Sequence, residues 1–165
     1  MKSTRLLSVL AVFFAASDCS AFCFAEAAKR YQVDMNLLMA IAKVESNFTP
    51  NAVNTNKNGS VDLGLMQINS QHFKSLEQFN ITEKSIMEPC VNVHVGAWIL
   101  ARTIKEHGAT WRAVGAYNAG GRPEREEQRG IYASKVQKAL NTSLNKHIPP
   151  RQPSSRQEFA MQVIE

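Results

Sequence analysis

"NKNGSVDLGLMQINS", residues Asn56 to Ser70, is the stretch on which the fold turns. The chain on either side of it repeats apolar residues at helical spacing, and this stretch does not. Asn58-Gly59 predicts a two-residue hairpin turn, because both residues tolerate positive φ. A small β-hairpin over about Val53 to Leu63 follows from that turn. The hairpin carries a single acid, Asp62. A second acid, Glu45, stands upstream in "AIAKVESNF".

The helices are read outward from the hairpin. Asp34 is a suitable N-cap for a helix running to about Ser46. Leu38, Ile41 and Ala42 form its apolar stripe, and the next place on that stripe is Glu45. Before it, Phe24, Ala27, Ala28 and Tyr31 recur at helical spacing and predict a short helix over Phe22 to Tyr31. After the hairpin, short helices are expected over Gln67 to Gln78 and Thr82 to Met87. Pro89 opens a long helix that ends near His107, with Gly108 as its stop. Thr110 caps "WRAVGAYNA", which Gly120-Gly121 ends. No strand leads into that glycine pair, so it reads as a helix stop and not a phosphate loop. "GRPEREEQRG" is expected as a charged connector before a last helix over about Ile131 to Leu144. Ile131, Tyr132, Val136 and Leu140 would face inward on it. The expected class is mainly α-helical with one small hairpin. There is no internal repeat.

A chain of 165 residues supports one domain with a real core, not two. Lys2 and Arg5 precede an apolar run from Leu6 to Ala16, and small residues follow at Cys19-Ser20-Ala21. That run is too short to cross a bilayer of about 30 Å. Residues 1–21 therefore read as a cleaved secretory signal, which leaves no stable membrane anchor. Residues 22–144 form the expected domain. Residues 145–165, rich in Pro, Ser and charge, read as a disordered tail. Cleavage removes Cys19 and leaves Cys23 and Cys90. In an oxidising compartment these suggest one disulfide, with two buried free thiols as the alternative.

The formal net charge of +5 suits an anionic surface such as a cell wall or lipid headgroups. Ordinary solubilising charge accounts for it equally well. No long Lys/Arg cluster and no recognition motif speaks for nucleic acid. His72, His94, His107 and His147 show no ligand spacing, so no metal site is expected. A monomer is expected.

The two acids carry the chemistry. A glutamate on the buried side of a helix has its pKa raised by desolvation and holds a proton near neutral pH. A general acid needs that property. A surface position near a fraying helix end, or a buried ion pair, is the competing reading of Glu45. Asp62 taken alone is an ordinary hairpin residue. Together, an acid on a helix and an acid on an adjoining hairpin can face each other across a cleft. Glycosidic cleavage uses that arrangement: one acid protonates the leaving oxygen, and the other carboxylate supports the positive charge growing on the sugar ring.

"AIAKVESNF", "GLMQIN" and "AVGAYNAG" occur in the order and spacing of the transglycosylase domain of lytic transglycosylases. The chain resembles that family over about Phe22 to Leu140, and with it the lysozyme-like fold. It is most similar to the small exported members that accompany type III secretion, conjugation and type IV pilus machines. "PCVNVHVGAWIL" from Pro89 and "SQHF" from Ser70 add to that likeness. "GSVDLGLMQINS" also resembles the segment of animal c-type lysozymes that holds their catalytic aspartate, and Asp62 falls on that position. Most transglycosylases have no acid there.

The resemblance implies cleavage of the β-1,4 bond between N-acetylmuramic acid and N-acetylglucosamine in peptidoglycan, without metal or organic cofactor. It implies Glu45 as catalytic acid/base and Asp62 as the supporting carboxylate. Ser46 would orient the site. Gly64 would let the backbone pass close to sugar. Met66 and Gln67 would line the cleft beside Leu65, with Asn69 as a further substrate contact. Tyr117 and Asn118 would face the acetamido side, and Tyr132 would stand near the acid. Core packing is the competing reading of Met66 and of Tyr132. The implied partners are peptidoglycan strands and an envelope-spanning machine, and the implied location is the periplasm. A hydrolytic muramidase and a non-catalytic wall-binding scaffold are the alternatives.

Overall fold

A computed structural model describes residues 19–145. Most of the expected signal segment, and the tail beyond Asn145, lie outside the described residues. Within them, seven helices and one three-stranded sheet follow in order. Helix α1 spans Cys19–Tyr31, so it begins before the expected Phe22. Helix α2 spans Met35–Ser46, and the Asp34 side chain accepts from the Leu37 N–H at 2.7 Å. It ends at Asn47, whose left-handed φ of 52° stops the helix. Strands β1 (Val53–Thr55), β2 (Val61–Leu63) and β3 (Ile68–Asn69) pair antiparallel in that order.

The hairpin forms where expected, but with a different turn. Only Gly59 is left-handed, at φ 82°. Asn56 and Ser60 close the loop through Asn56 N–H to the Ser60 carbonyl at 2.8 Å, and Gly59 N–H donates to the Asn56 carbonyl at 2.9 Å. This is a three-residue loop ending in a left-handed glycine, not a two-residue turn. Asn58 instead uses its side chain to accept from the Ser60 N–H at 3.1 Å.

The expected helix over Gln67 to Gln78 is replaced by four short pieces. Gln67 has φ 49°, which no helix continues through. Strand β3 follows, with Ile68 paired to Leu63 and Asn69 to Asp62. Ser70–His72 is a 3-10 turn, capped by the Asn69 side chain on Gln71 N–H. Helix α3 covers only Phe73–Leu76, and a second 3-10 turn ends at left-handed Asn80. Helix α4 spans Glu83–Ile86 under a capping box of Thr82 and Ser85.

Helix α5, Pro89–His107, begins on the expected proline and stops at Gly108. Helix α6, Trp111–Ala119, is capped by Thr110 and ends at Gly120. The "GRPEREEQRG" connector is not a loop. It holds a 3-10 turn, Pro123–Arg125, and the first turns of helix α7, Glu126–Asn145. Glu126 and Glu127 stand in the first turn of α7, where the helix dipole favours acids. Arg129 then turns inward with 1% exposure, so a segment rich in charge still contributes to the core.

Helix α1 packs on α5, α2 on α7, and α5 and α7 on α6. Leu38, Ile41, Met66, Leu100, Val114 and Val136 are fully buried between them. Cys23 of α1 and Cys90 of α5 form a disulfide, with Cα atoms 5.2 Å apart. No helix among the described residues is long and apolar enough to cross a membrane.

Asn92 of α5 ties the sheet to the helices and is wholly buried. Its Nδ2 donates to the carbonyls of Leu63 and Ile86 at 2.8 and 2.9 Å, and its Oδ1 accepts from Met66 N–H at 2.7 Å. Gly64 leaves the space that Asn92 fills: a β-carbon there would lie 2.7 Å from the Asn92 Cγ. Asn92→Ala strands these backbone groups without partners. Urea unfolding is expected to show a loss of about 3 kcal/mol.

Candidate active site

A cleft of about 790 Å³ opens between the sheet and the α5–α6 wall. The 56–62 and 67–72 segments supply one side, with Asn56, Asp62, Gln67 and Asn69 among the lining residues. Ile99 to Glu106 and Ala116 to Arg125 line the other, and Glu45 lies between them.

Glu45 sits at the last turn of α2, on the stripe that Ile41 and Leu38 begin, and is half-buried. Tyr132 of α7 donates its hydroxyl to Glu45 Oε1 at 2.5 Å. The carboxyl is pushed up to about 7, chiefly by burial; the Tyr132 hydrogen bond pulls it part of the way back, the Asp62 carboxylate adds a smaller push upward, and Lys135 and Asn118 pull slightly down. A substantial share of Glu45 is therefore protonated at neutral pH.

The tyrosines around it stay neutral. Burial, then the nearby Glu45, raises both Tyr132 and Tyr117 well above the usual phenol value. Their rings stack with centroids 6.5 Å apart, and Tyr117 donates to the Met66 carbonyl at 2.8 Å. That bond pins the 64–67 turn to α6.

Asp62 is fixed from two sides. Its Oδ2 accepts from Asn56 Nδ2 at 2.8 Å and its Oδ1 from Asn69 Nδ2 at 2.7 Å. Asn69 also accepts from Gln71 N–H at 2.9 Å, which locks its amide. A carboxylate gripped by two amides has little freedom to turn away from the cleft. A protonated acid on one side and an immobilised carboxylate on the other can deliver a proton and support a cation.

A family model described as "Transglycosylase SLT domain" matches residues 22–140. The chain belongs to this family. Among similar proteins, "Invasion protein IagB" of Salmonella typhimurium is 48% identical over 115 residues, covering 69% of this chain and 72% of its own. "Protein IpgF" of Shigella flexneri is 43% identical over 115 residues, covering 69% and 76%. An inactive mutant of the lytic transglycosylase Slt from Pseudomonas aeruginosa matches in structure with TM-score 0.60 over 75% of this chain. It is 23% identical, and the match spans 24% of that longer protein, so it speaks for the fold alone.

The transglycosylase motifs converge, but not all of their side chains reach the cleft. Glu45, Asp62, Gln67, Asn69, Tyr117 and Asn118 line it. Tyr132 meets it through Glu45. Met66 does not line it: the side chain is fully buried against Gly96, and only its carbonyl serves the site, by holding Tyr117. Ser46 faces the 64–67 turn, donating to the Leu65 carbonyl at 2.8 Å. Gly64 is likewise buried, and its φ of 76° and the packing of Asn92 explain the glycine without any sugar contact. The Gln67 amide is occupied by the hairpin, through Asn54 at 2.5 Å and the Gly64 carbonyl at 2.8 Å.

Sequence reading missed the supports. Asn56 holds Asp62, Asn54 holds Gln67, and Asn92 holds the turn. The signal for Asn54 lay in the strand register. Asn54 stands directly across from Asp62 in the β1–β2 ladder and so shares its face of the sheet. Among the described residues, no group of three or more His, Cys, Asp or Glu is placed to hold a metal.

Proposed function

We propose that this transglycosylase-family protein is a peptidoglycan lytic transglycosylase acting through Glu45. One observation carries the reading: a carboxyl held near pKa 7 by burial, hydrogen-bonded by Tyr132, faces an open cleft beside Asp62. Protonated Glu45 gives its proton to the glycosidic oxygen as the bond to the muramic acid C1 breaks. The N-acetylglucosamine portion leaves as an alcohol. The Glu45 carboxylate then takes the proton of the muramic acid's own C6 hydroxyl, whose oxygen bonds to C1 and closes a 1,6-anhydro ring. Asp62 supports the positive charge that spreads over the ring during the exchange. Glu45 regains its proton in the second step, so the cycle closes without water.

Export through cleavage of residues 1–21 would place the domain in the periplasm. The Cys23–Cys90 disulfide, which fits an oxidising compartment, supports that placement. Local wall opening for an envelope-spanning machine is the role we assign. The name of the Salmonella relative, an invasion protein, agrees with it.

The clamped aspartate favours a second reading, hydrolysis, in which water takes the place of the C6 hydroxyl. Mass spectrometry of digested wall separates the two. Anhydro-ended muropeptides support the first, and reducing ends the second. Asp62→Asn keeps the size of the side chain and removes its charge. We expect cleavage to slow about tenfold in a dye-release assay. An unchanged rate would make Asp62 a hairpin residue only.

A further inference from the structure

The cleft carries charge that the proposed chemistry does not use. Besides Glu45 and Asp62, its charged lining residues are Lys57, Arg102, Glu106, Arg122 and Arg125. Arg102 and Glu106 answer each other at 3.8 Å, and Arg102 also lies over the Trp98 ring. Arg122 and Arg125 differ. Both are exposed, and among the described residues no carboxylate pairs with either guanidinium. Glu124, between them in sequence, is no exception.

The turn that presents them is firmly held. Arg129, with 1% exposure, donates through Nη1 to the carbonyls of Gly120 and Arg122 at 2.6 and 2.9 Å. Its Nε and Nη2 hold Glu126 at 3.1 and 2.5 Å, and Glu126 in turn pairs with Arg112 at 3.0 Å. Burying a guanidinium is costly unless its donors are met. Here two of those bonds fix the backbone from Gly120 to Arg122. Behind the turn, α6 and α7 approach closely at Gly115, where a β-carbon would lie 2.5 Å from the Arg129 carbonyl. Two free guanidinium forks thus stand on a rigid backbone rim, so binding has to order their side chains but not the turn that carries them.

We infer that Arg122 and Arg125 are a specificity site for the carboxylates of the stem peptide borne by the muramic acid. This rests on the glycan-cleaving reading of the cleft. Hydroxyl and acetamido groups of the sugars offer no anion for a guanidinium. In a peptide-bearing strand the lactyl carboxyl is tied up as an amide, so the free carboxylates are on the peptide. A planar fork binds a carboxylate with two parallel hydrogen bonds, which a lysine does not. A strand lying in the cleft would have its substituents beside this rim. The enzyme then prefers wall whose peptides are intact and charged.

The test compares two substrates: peptide-bearing strands, and the same strands with peptide carboxylates blocked as amides by carbodiimide and ethanolamine. The protein is used as the full mature chain. Wild type is expected to lose about tenfold in kcat/KM on the blocked strands, mostly through KM. The double variant Arg122→Gln, Arg125→Gln is expected to show no such preference. A double variant that keeps the wild-type preference, or a wild type without one, would overturn the assignment. A wild type that cuts neither substrate would overturn the underlying glycan reading instead.

Discussion

Glu45→Gln is expected to lower wall-clearing activity by about 100-fold or more. Glutamine keeps the shape of the side chain and can still accept from Tyr132, but it has no proton to give. The same variant is expected to be more stable than wild type above neutral pH. Burial raises the Glu45 carboxyl from 4.5 to about 7, so the folded state binds its proton more tightly than the unfolded chain. The stability this contributes is complete below about pH 4.5 and is lost as pH rises through about 7. At pH 8 the ionised, half-buried Glu45 costs roughly 3 kcal/mol that a neutral glutamine does not. Thermal melts of both proteins at pH 4 and pH 8 would read the difference: near zero at the lower pH, clear at the higher. A loss of activity together with a gain of stability marks a side chain kept for its chemistry and not its packing. Equal activity of the two proteins would remove Glu45 from the mechanism.

Reducing the Cys23–Cys90 bond is expected to cost roughly 4 kcal/mol of stability. The cysteines are 67 positions apart, so the bond closes a long loop that takes in α2, the sheet and α4. Freed of that constraint, the unfolded chain gains conformational entropy while the folded packing is unchanged. The loss should appear as a lower denaturation midpoint in urea with dithiothreitol than without. Cys23→Ala, Cys90→Ala should reproduce it without reductant. The active-site geometry rests on α2 and the sheet, both inside the loop, so activity at elevated temperature should fall with the midpoint. A midpoint that does not move would assign the bond no part in holding the fold.

Much of this architecture is legible in the amino-acid sequence, for local reasons. Asp34, Pro89, Gly108 and Thr110 act on backbone groups within one helical turn, so each marks a helix end correctly. Glu45 is legible because a helical stripe has a fixed period, and a charge on that stripe stands out. β3 is not legible: two residues are too few to show alternation, and Ile68 and Asn69 become a strand only because β2 is there to pair with. The start of α7 is hidden in a charged run. Nothing local announces that Arg129 turns inward while Arg125 stays out; the two carbonyls it meets belong to a turn made elsewhere.

The candidate site divides along the same line. Its acids and tyrosines sit in motifs whose order is visible in the chain. Its supporting contacts are not visible there: Asn69 lies inside "GLMQIN", yet Asn56 and Asn69 reach Asp62 only after the three strands have fixed their register. Met66 shows the converse. Its place inside a motif predicts a cleft residue, yet the tight approach of α5 at Gly96 puts it in the core.

The pH dependence of kcat/KM on purified peptidoglycan strands tests the central claim most directly. If Glu45 is the proton donor, activity has a descending limb with its midpoint near pH 7, falling about tenfold per unit above it. A rate that stays level from about pH 6 to about pH 9 would mean that no proton held by Glu45 takes part in breaking the glycan.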